Sequence, residues 1–150
     1  RCDTFTTDAS GLYAERLKLT NPDDHMILPE VISKEPLGPV VRQGDDAWFN
    51  IIKWVNNALV NAEELGVTQA NVDEMKNSDN PEIKRLLGTE GAYGEAIGLS
   101  NDWAAQAVKG VGNYGEIFDR NIGPSTPLAI ERGINALWTN GGLQYGIPVR

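Results

Sequence analysis

The sequence predicts an α/β chain that becomes mostly helical in its second half. Three observations carry this. Residues 2–7 alternate, with Cys2, Thr4 and Thr6 on one side and Asp3, Phe5 and Thr7 on the other, and they are rich in β-branched side chains, as in a strand. Trp48, Ile51, Ile52, Val55, Ala58, Leu59, Ala62 and Leu65 recur at three- and four-residue steps, the period of a buried helix face. Past Gly66, short segments with one apolar side alternate with asparagines, prolines and glycines placed as helix starts and stops.

The run opening at Arg1 ends in Thr7-Asp8, and a helical pattern follows at once, with Leu12, Tyr13, Arg16 and Leu17 about one turn apart. Asn21-Pro22-Asp23-Asp24 reads as a turn. His25–Pro29 and Val31-Ile32 then read as an extended crossing segment, and Pro36 to Arg42 as a further extended piece that its two prolines confine to an edge or hinge. Asp45 is placed to cap a helix over Asp46–Leu65 that Gly66 stops. Pro81 after Asn80 starts another helix, and Ile83, Leu86 and Leu87 give it one apolar side. Ser100 or Asn101 is expected to cap Asp102–Val111. Tyr114, Ile117 and Phe118 share a face of the next helix, and Pro127 is expected to begin a last one, with Ile130, Ile134, Leu137 and Trp138 inward and Gly141-Gly142 at its end. Trp103, Tyr114 and Trp138 read as core anchors.

At 150 residues and 41% hydrophobic content the chain is long enough for one domain with a core. It has no apolar run near the roughly 20 residues of a membrane span. Its start shows neither the basic nor the apolar region of a signal peptide, as a mature or truncated chain would. A net charge of -8 argues against nucleic acid as a partner.

No catalytic set and no metal or cofactor site is read. His25 is the only histidine and Cys2 the only cysteine, so a His-based metal cluster and an intrachain disulfide are excluded, and His25, beside Asp23 and Asp24 in a polar turn, reads as a solvated loop histidine rather than a catalytic one. Asp23-Asp24 and Glu63-Glu64 are neighbours in sequence, which do not converge on a substrate as a glycosidase pair must, and read as solvated charge. The glycines of Gly88–Gly94 lack the Lys-Ser/Thr of a phosphate loop. Cys2 reads as a small buried apolar side chain. Asp8 is the one candidate binding residue. It sits where a strand gives way to a helix, the edge at which open α/β sheets present ligand-binding groups. Its plain role there is an N-cap, but a carboxylate at that edge can also accept hydrogen bonds from an ammonium group.

A wider pattern weighs on that choice. Strands ending in Thr7-Asp8 before a Leu12-Tyr13 helix, the stretch Lys34-Glu35-Pro36-Leu37-Gly38-Pro39-Val40-Val41-Arg42-Gln43-Gly44-Asp45, the helices around Trp48–Leu65 and Asn80–Gly88, Gly112-Asn113-Tyr114-Gly115-Glu116-Ile117-Phe118, and Gly141-Gly142-Leu143-Gln144-Tyr145 together resemble the general (polar) L-amino-acid periplasmic solute-binding proteins of ABC transporters, family 3 type. The resemblance spans nearly the whole chain. It implies the carboxyl-terminal part of a periplasmic-binding-protein-like (type II) two-lobed fold, with 1–18 a remnant of ligand-binding lobe two, 19–36 the hinge crossover, and 37–150 the carboxyl-terminal part of lobe one. It further implies that Asp8 holds the ligand's α-ammonium group. The parts that in relatives supply an Arg for the ligand carboxylate and an aromatic clamp have no counterpart here. Relatives carry a second cysteine upstream, which would make Cys2 an orphaned half-cystine.

The resemblance thus implies a non-enzymatic, periplasmic solute-binding component or fragment. Its partners would be an L-amino acid, ABC permease subunits, and either the missing amino-terminal part or further copies of the chain. Two other functions stay open: an interaction or assembly module that binds no solute, and a dehydratase-like enzyme on the same fold. The last would need a second ionisable group near Asp8, such as Glu15 or Glu30.

Overall fold

The computed structural model describes residues 2–150, so Arg1, which opens the expected strand, lies outside the described residues. The helices are α1 (Ala9–Leu17), α2 (Asp46–Glu64), α3 (Val72–Met75), α4 (Pro81–Leu87), α5 (Trp103–Val111) and α6 (Tyr114–Asn121), joined by loops and 3₁₀ turns. Among the described residues the one β pairing is a parallel bridge between Leu137 and Gln144. The chain divides into two compact units, Arg1–Gly38 with Asp119–Glu131, and Pro39–Phe118 with Arg132–Arg150.

The second unit holds the core. α2 follows the expected bounds within a residue, and the Asp45 carboxylate accepts the Trp48 N–H at 3.0 Å. At its other end Gly66 takes φ +68°, so Val67 N–H reaches Ala62 O at 2.8 Å and Gly66 N–H reaches Glu63 O at 3.1 Å, the paired bonds of a Schellman stop. The later half of the apolar stripe is core: Ala58 and Ala62 are fully buried and cluster with Val67, Val72, Ile83, Leu87, Ala104, Ala105 and Val108. The first turn departs from expectation, because Trp48 and Phe49 are about half exposed. α4 starts at Pro81 with Asn80 Oδ1 accepting the Glu82 N–H at 2.9 Å. Gly88 ends it at φ +75°, where an added Cβ would collide with the Asn101 carbonyl.

Caps farther along differ from the sequence reading. Neither Ser100 nor Asn101 caps α5. Asp102 occupies that position, but its carboxylate is taken by Ser100 Oγ at 2.7 Å and Gln106 Nε2 at 2.8 Å, and Asn101 Oδ1 instead accepts the Gly94 N–H. α6 opens with a capping box: Glu116 N–H donates to Asn113 Oδ1 at 3.0 Å and Asn113 N–H to Glu116 Oε2 at 2.8 Å. Asn113 is buried, and its Nδ2 donates to Val67 O at 2.9 Å.

The expected last helix from Pro127 does not form. Ala129 takes φ +49°, a left-handed conformation no right-handed helix can pass through, and only 3₁₀ turns at Gly133–Asn135 and Trp138–Asn140 follow. Leu137 is buried as expected, whereas Ile134 and Trp138 are exposed, so Trp138 is no core anchor while Trp103 is one. Glu63 is not solvated charge either. It grips Arg132 in two hydrogen bonds, Nη1 to Oε1 at 2.9 Å and Nη2 to Oε2 at 3.1 Å, and the guanidinium lies over the rings of Tyr114 and Phe118. Burial pushes the Tyr114 hydroxyl above its ordinary pKa, against the opposing pull of Arg132.

In the first unit, residues 2–7 are irregular, because the expected strand finds no partner strand among the described residues. Cys2 is exposed rather than buried. α1 forms as expected but buries no side chain. Residues 25–32 stay out of any ladder, with Met26, Val31 and Ile32 about four-fifths exposed. The Asp119–Glu131 stretch is closed locally, with Ser125 Oγ donating to Asp119 Oδ2 at 2.8 Å and Ile130 N–H to Ile122 O at 3.0 Å.

Two stability measurements check this architecture. Gly88→Ala combines a left-handed φ with a backbone collision and should cost about 1–3 kcal/mol in urea unfolding. Glu63→Ala leaves a half-buried guanidinium without its carboxylate and should cost about 1–3 kcal/mol, whereas removing the exposed Glu15–Lys18 pair should cost under about 1 kcal/mol.

Candidate functional site

Asp8 lies at the position the sequence selects, immediately before α1, although coil rather than a strand leads into it. Its carboxylate accepts three hydrogen bonds: from Thr7 Oγ1 to Oδ1 at 3.0 Å, from Ser10 Oγ to Oδ2 at 2.9 Å, and from the Gly11 N–H to Oδ2 at 3.2 Å. The last is the N-cap bond, so the plain structural role is fulfilled. The hydroxyls go further and fix the plane of the carboxylate. Gly11 suits this arrangement because a Cβ there would crowd Thr7 and both Asp8 oxygens.

These bonds hold the charged form. Ser10 lowers the Asp8 pKa most, then Thr7, then the Gly11 amide, against a smaller opposing effect of desolvation. An anion oriented by its own neighbours, partly open to solvent, is chemically suited to receive a cationic hydrogen-bond donor.

Around it, the charged side chains of α1 are paired with nearby residues. Lys18 Nζ pairs with Glu15 Oε1 at 2.6 Å, and Arg16 reaches Asp23 at 3.5 Å and Pro22 O at 2.9 Å. Glu15, one of the two groups a dehydratase-like reading would recruit, is therefore engaged elsewhere. His25 Nδ1 lies 3.0 Å from Asn21 O in its turn. Among the described residues no group of three His, Cys, Asp or Glu side chains could hold a metal ion, and no helix is long and apolar enough to cross a membrane.

Sequence reasoning found Asp8 because a cap is written in neighbouring residues. It missed the supporting hydroxyls of Thr7 and Ser10, for which the signal was present: two hydroxyl residues flank the one candidate carboxylate within two positions.

No family model matches the chain. Individual relatives match it end to end. It is 68% identical over 152 aligned residues to the general L-amino acid-binding periplasmic protein AapJ of Rhizobium johnstonii, covering all of this chain and 45% of that protein. It is 57% identical to the putative amino-acid ABC transporter-binding protein YhdW of Escherichia coli K12, covering all of this chain and 44% of the relative. The glutamate/glutamine/aspartate/asparagine-binding protein BztA of Rhodobacter capsulatus is also 57% identical, over 99% of this chain and 44% of its own length. A solved ABC-transporter periplasmic binding protein from Brucella ovis, with glutathione bound, superposes with a TM-score of 0.94 at 64% identity, over 99% of this chain and 47% of that one. The chain therefore spans a little under half the length of the relatives it matches, and within that span it has their fold. By sequence and fold along its whole length, the chain is similar to a little under half of amino-acid ABC-transporter periplasmic binding proteins.

Proposed function

We propose that this chain is the carboxyl-terminal part of an extracytoplasmic, periplasmic solute-binding component that delivers polar L-amino acids to an ABC permease, and that Asp8 holds the ligand's α-ammonium group. The observation that carries this reading is the 68% identity to a general L-amino acid-binding protein without a gap in coverage of this chain. The glutathione in the Brucella ovis neighbour is in keeping with it, since glutathione carries an amino-acid head group. On this reading 1–18 belongs to ligand-binding lobe two, 19–36 is the hinge crossover and 37–150 belongs to lobe one.

The site chemistry supports the role of Asp8. A carboxylate already oriented by three donors needs no reordering to accept an ammonium group, and the charge-assisted bond it forms is stronger than a neutral one. In a full-length protein containing this segment, Asp8→Ala should weaken glutamine or glutamate binding about tenfold or more in isothermal calorimetry. Unchanged affinity would remove Asp8 from the site. The pH dependence has a definite sign. Only the ionised carboxylate holds the ammonium group, and its pKa is held below the ordinary carboxylate value. Affinity should therefore persist as pH falls through the ordinary carboxylate range and be lost only below it. Thr7→Val with Ser10→Ala should move that loss to higher pH.

An assembly role is favoured by a separate observation. Met26, Leu28, Val31, Ile32 and Leu37 of the first unit are each at least 64% exposed. Extended backbone and apolar side chains of this kind favour pairing with another chain. The partner in this reading is an amino-terminal part of the relatives' length, or a second copy exchanging its first residues. The isolated 150-residue chain should bind free amino acids weakly or not at all at Asp8, and should sediment or scatter light as a dimer or larger. A 16.4 kDa monomer that unfolds cooperatively would refute the assembly role.

A further inference from the structure

The Asp8 carboxylate is a partly used acceptor. A carboxylate offers about four lone-pair positions. Oδ2 takes two donors, Ser10 Oγ at 2.9 Å and the Gly11 N–H at 3.2 Å, and is filled. Oδ1 takes one, Thr7 Oγ1 at 3.0 Å, and keeps one position open. An ammonium group brings more donors than that single position can satisfy.

Thr7 supplies a second position. Its hydroxyl has committed its one proton to Asp8, so it offers only acceptor lone pairs to an incoming group. A hydroxyl that donates to a carboxylate is polarised and accepts more strongly for it. The side chain is held in place from both sides. Its methyl stands against Gly11, where an added Cβ would come within 3.0 Å of Cγ2, and its hydroxyl is tied to Oδ1, which fixes the rotamer of a β-branched residue. Thr7 Oγ1 and Asp8 Oδ1 lie 3.0 Å apart, and one nitrogen can sit within hydrogen-bond distance of both. Asp8 is half-buried and Thr7 exposed, so a molecule arriving from solvent can reach both. Ser10 differs, because its hydroxyl is bonded to the filled oxygen, Oδ2.

We propose that Thr7 Oγ1 is a second direct contact to the ligand's α-ammonium group, beside Asp8 Oδ1, and that Ser10 is a positioning residue for the carboxylate. The pair selects an ammonium group with at least two N–H bonds, as in free α-amino acids, over tertiary and quaternary ammonium compounds. This inference rests on the reading that Asp8 holds the α-ammonium group and adds Thr7 to it.

Double-mutant cycles in a full-length protein containing this segment test it, with L-glutamate as the probe and isothermal calorimetry as the measurement. Thr7→Val keeps the shape, removes the hydroxyl and should weaken binding about tenfold. Thr7→Ser should keep most of the affinity. In an Asp8→Ala background there is no carboxylate left to orient. There Thr7→Val should still weaken binding severalfold, whereas Ser10→Ala should change nothing further. No loss in Thr7→Val, or a loss that vanishes in the Asp8→Ala background, overturns the proposal and leaves Asp8 in the site, with Thr7 acting only through the carboxylate. Unchanged affinity in Asp8→Ala alone, or no binding of L-glutamate by the wild type, overturns the importer reading of Asp8 and this proposal with it. Should Asp8→Ala bind too weakly to measure, N,N-dimethyl-L-glutamate decides. Its one ammonium N–H goes to Asp8, so Thr7→Val should cost it less affinity than it costs L-glutamate, and an equal loss overturns the proposal.

Discussion

The second unit depends on how closely α2 and α5 approach. Ala58 and Ala62 on α2, and Ala104 and Ala105 on α5, are all at most 2% exposed and belong to one core cluster. Methyl side chains let two helix backbones come close, so that larger groups beside them can close the gap. Leu87, Val67, Val72 and Val108 do so and are themselves almost fully enclosed. Larger residues at the alanine positions would overpack this contact, and the helices around it would have to move. Lone alanines and valines make a weak hydrophobic signal in sequence, yet here they occupy the most enclosed positions.

Once α2 is fixed in this way, its polar side chains organise a tail with little regular structure of its own. Asn57 Oδ1 accepts the Ile147 N–H at 2.7 Å, and Asn61 Nδ2 donates to Ile147 O at 2.7 Å. Two amides one helical turn apart thus satisfy both backbone groups of one residue, as a neighbouring strand would. This accounts for the burial of Asn61, an otherwise costly position for an amide. Two positions on, Glu63 holds Arg132 at the other end of the tail, and Arg132 in turn donates to Asn135 O at 2.9 Å. The tail is held by side chains of a helix, so it needs neither a sheet nor a helix of its own.

That distinction explains what could be read from the sequence. Helix ends were legible where start and stop are written in adjacent residues: Asp45 before α2, Gly66 after it, and Asn80-Pro81 before α4. Asp8 was legible as a cap for the same reason. What failed depended on distant residues. The alternation of Cys2–Thr7 describes a strand, but a strand exists only with a partner, and none is among the described residues. The apolar spacing of Ile130, Ile134 and Trp138 has a helical period by chance, and the left-handed Ala129 breaks it. Glu63 looked solvated beside Glu64, although it falls four residues after Leu59 and so lies near the buried stripe, while its partner Arg132 is 69 residues away. The amino-acid role proposed for Asp8 comes from the resemblance and not from any local pattern.

The two units also differ in what holds their side chains in place. The helical unit buries its alanine and valine core and ties down its tail. The first unit has no buried side chain in the described part of Arg1–Gly38, yet it carries Asp8. A carboxylate there would be of little use if its orientation relied on a surrounding core. It relies instead on Thr7, Ser10 and Gly11, all within three residues, so its geometry is set by the turn itself. On the proposed reading, what limits ammonium binding in this chain is therefore not the placement of the carboxylate. The limit is how far the pair is enclosed, since an exposed charge pair gains little in water and much once it is enclosed.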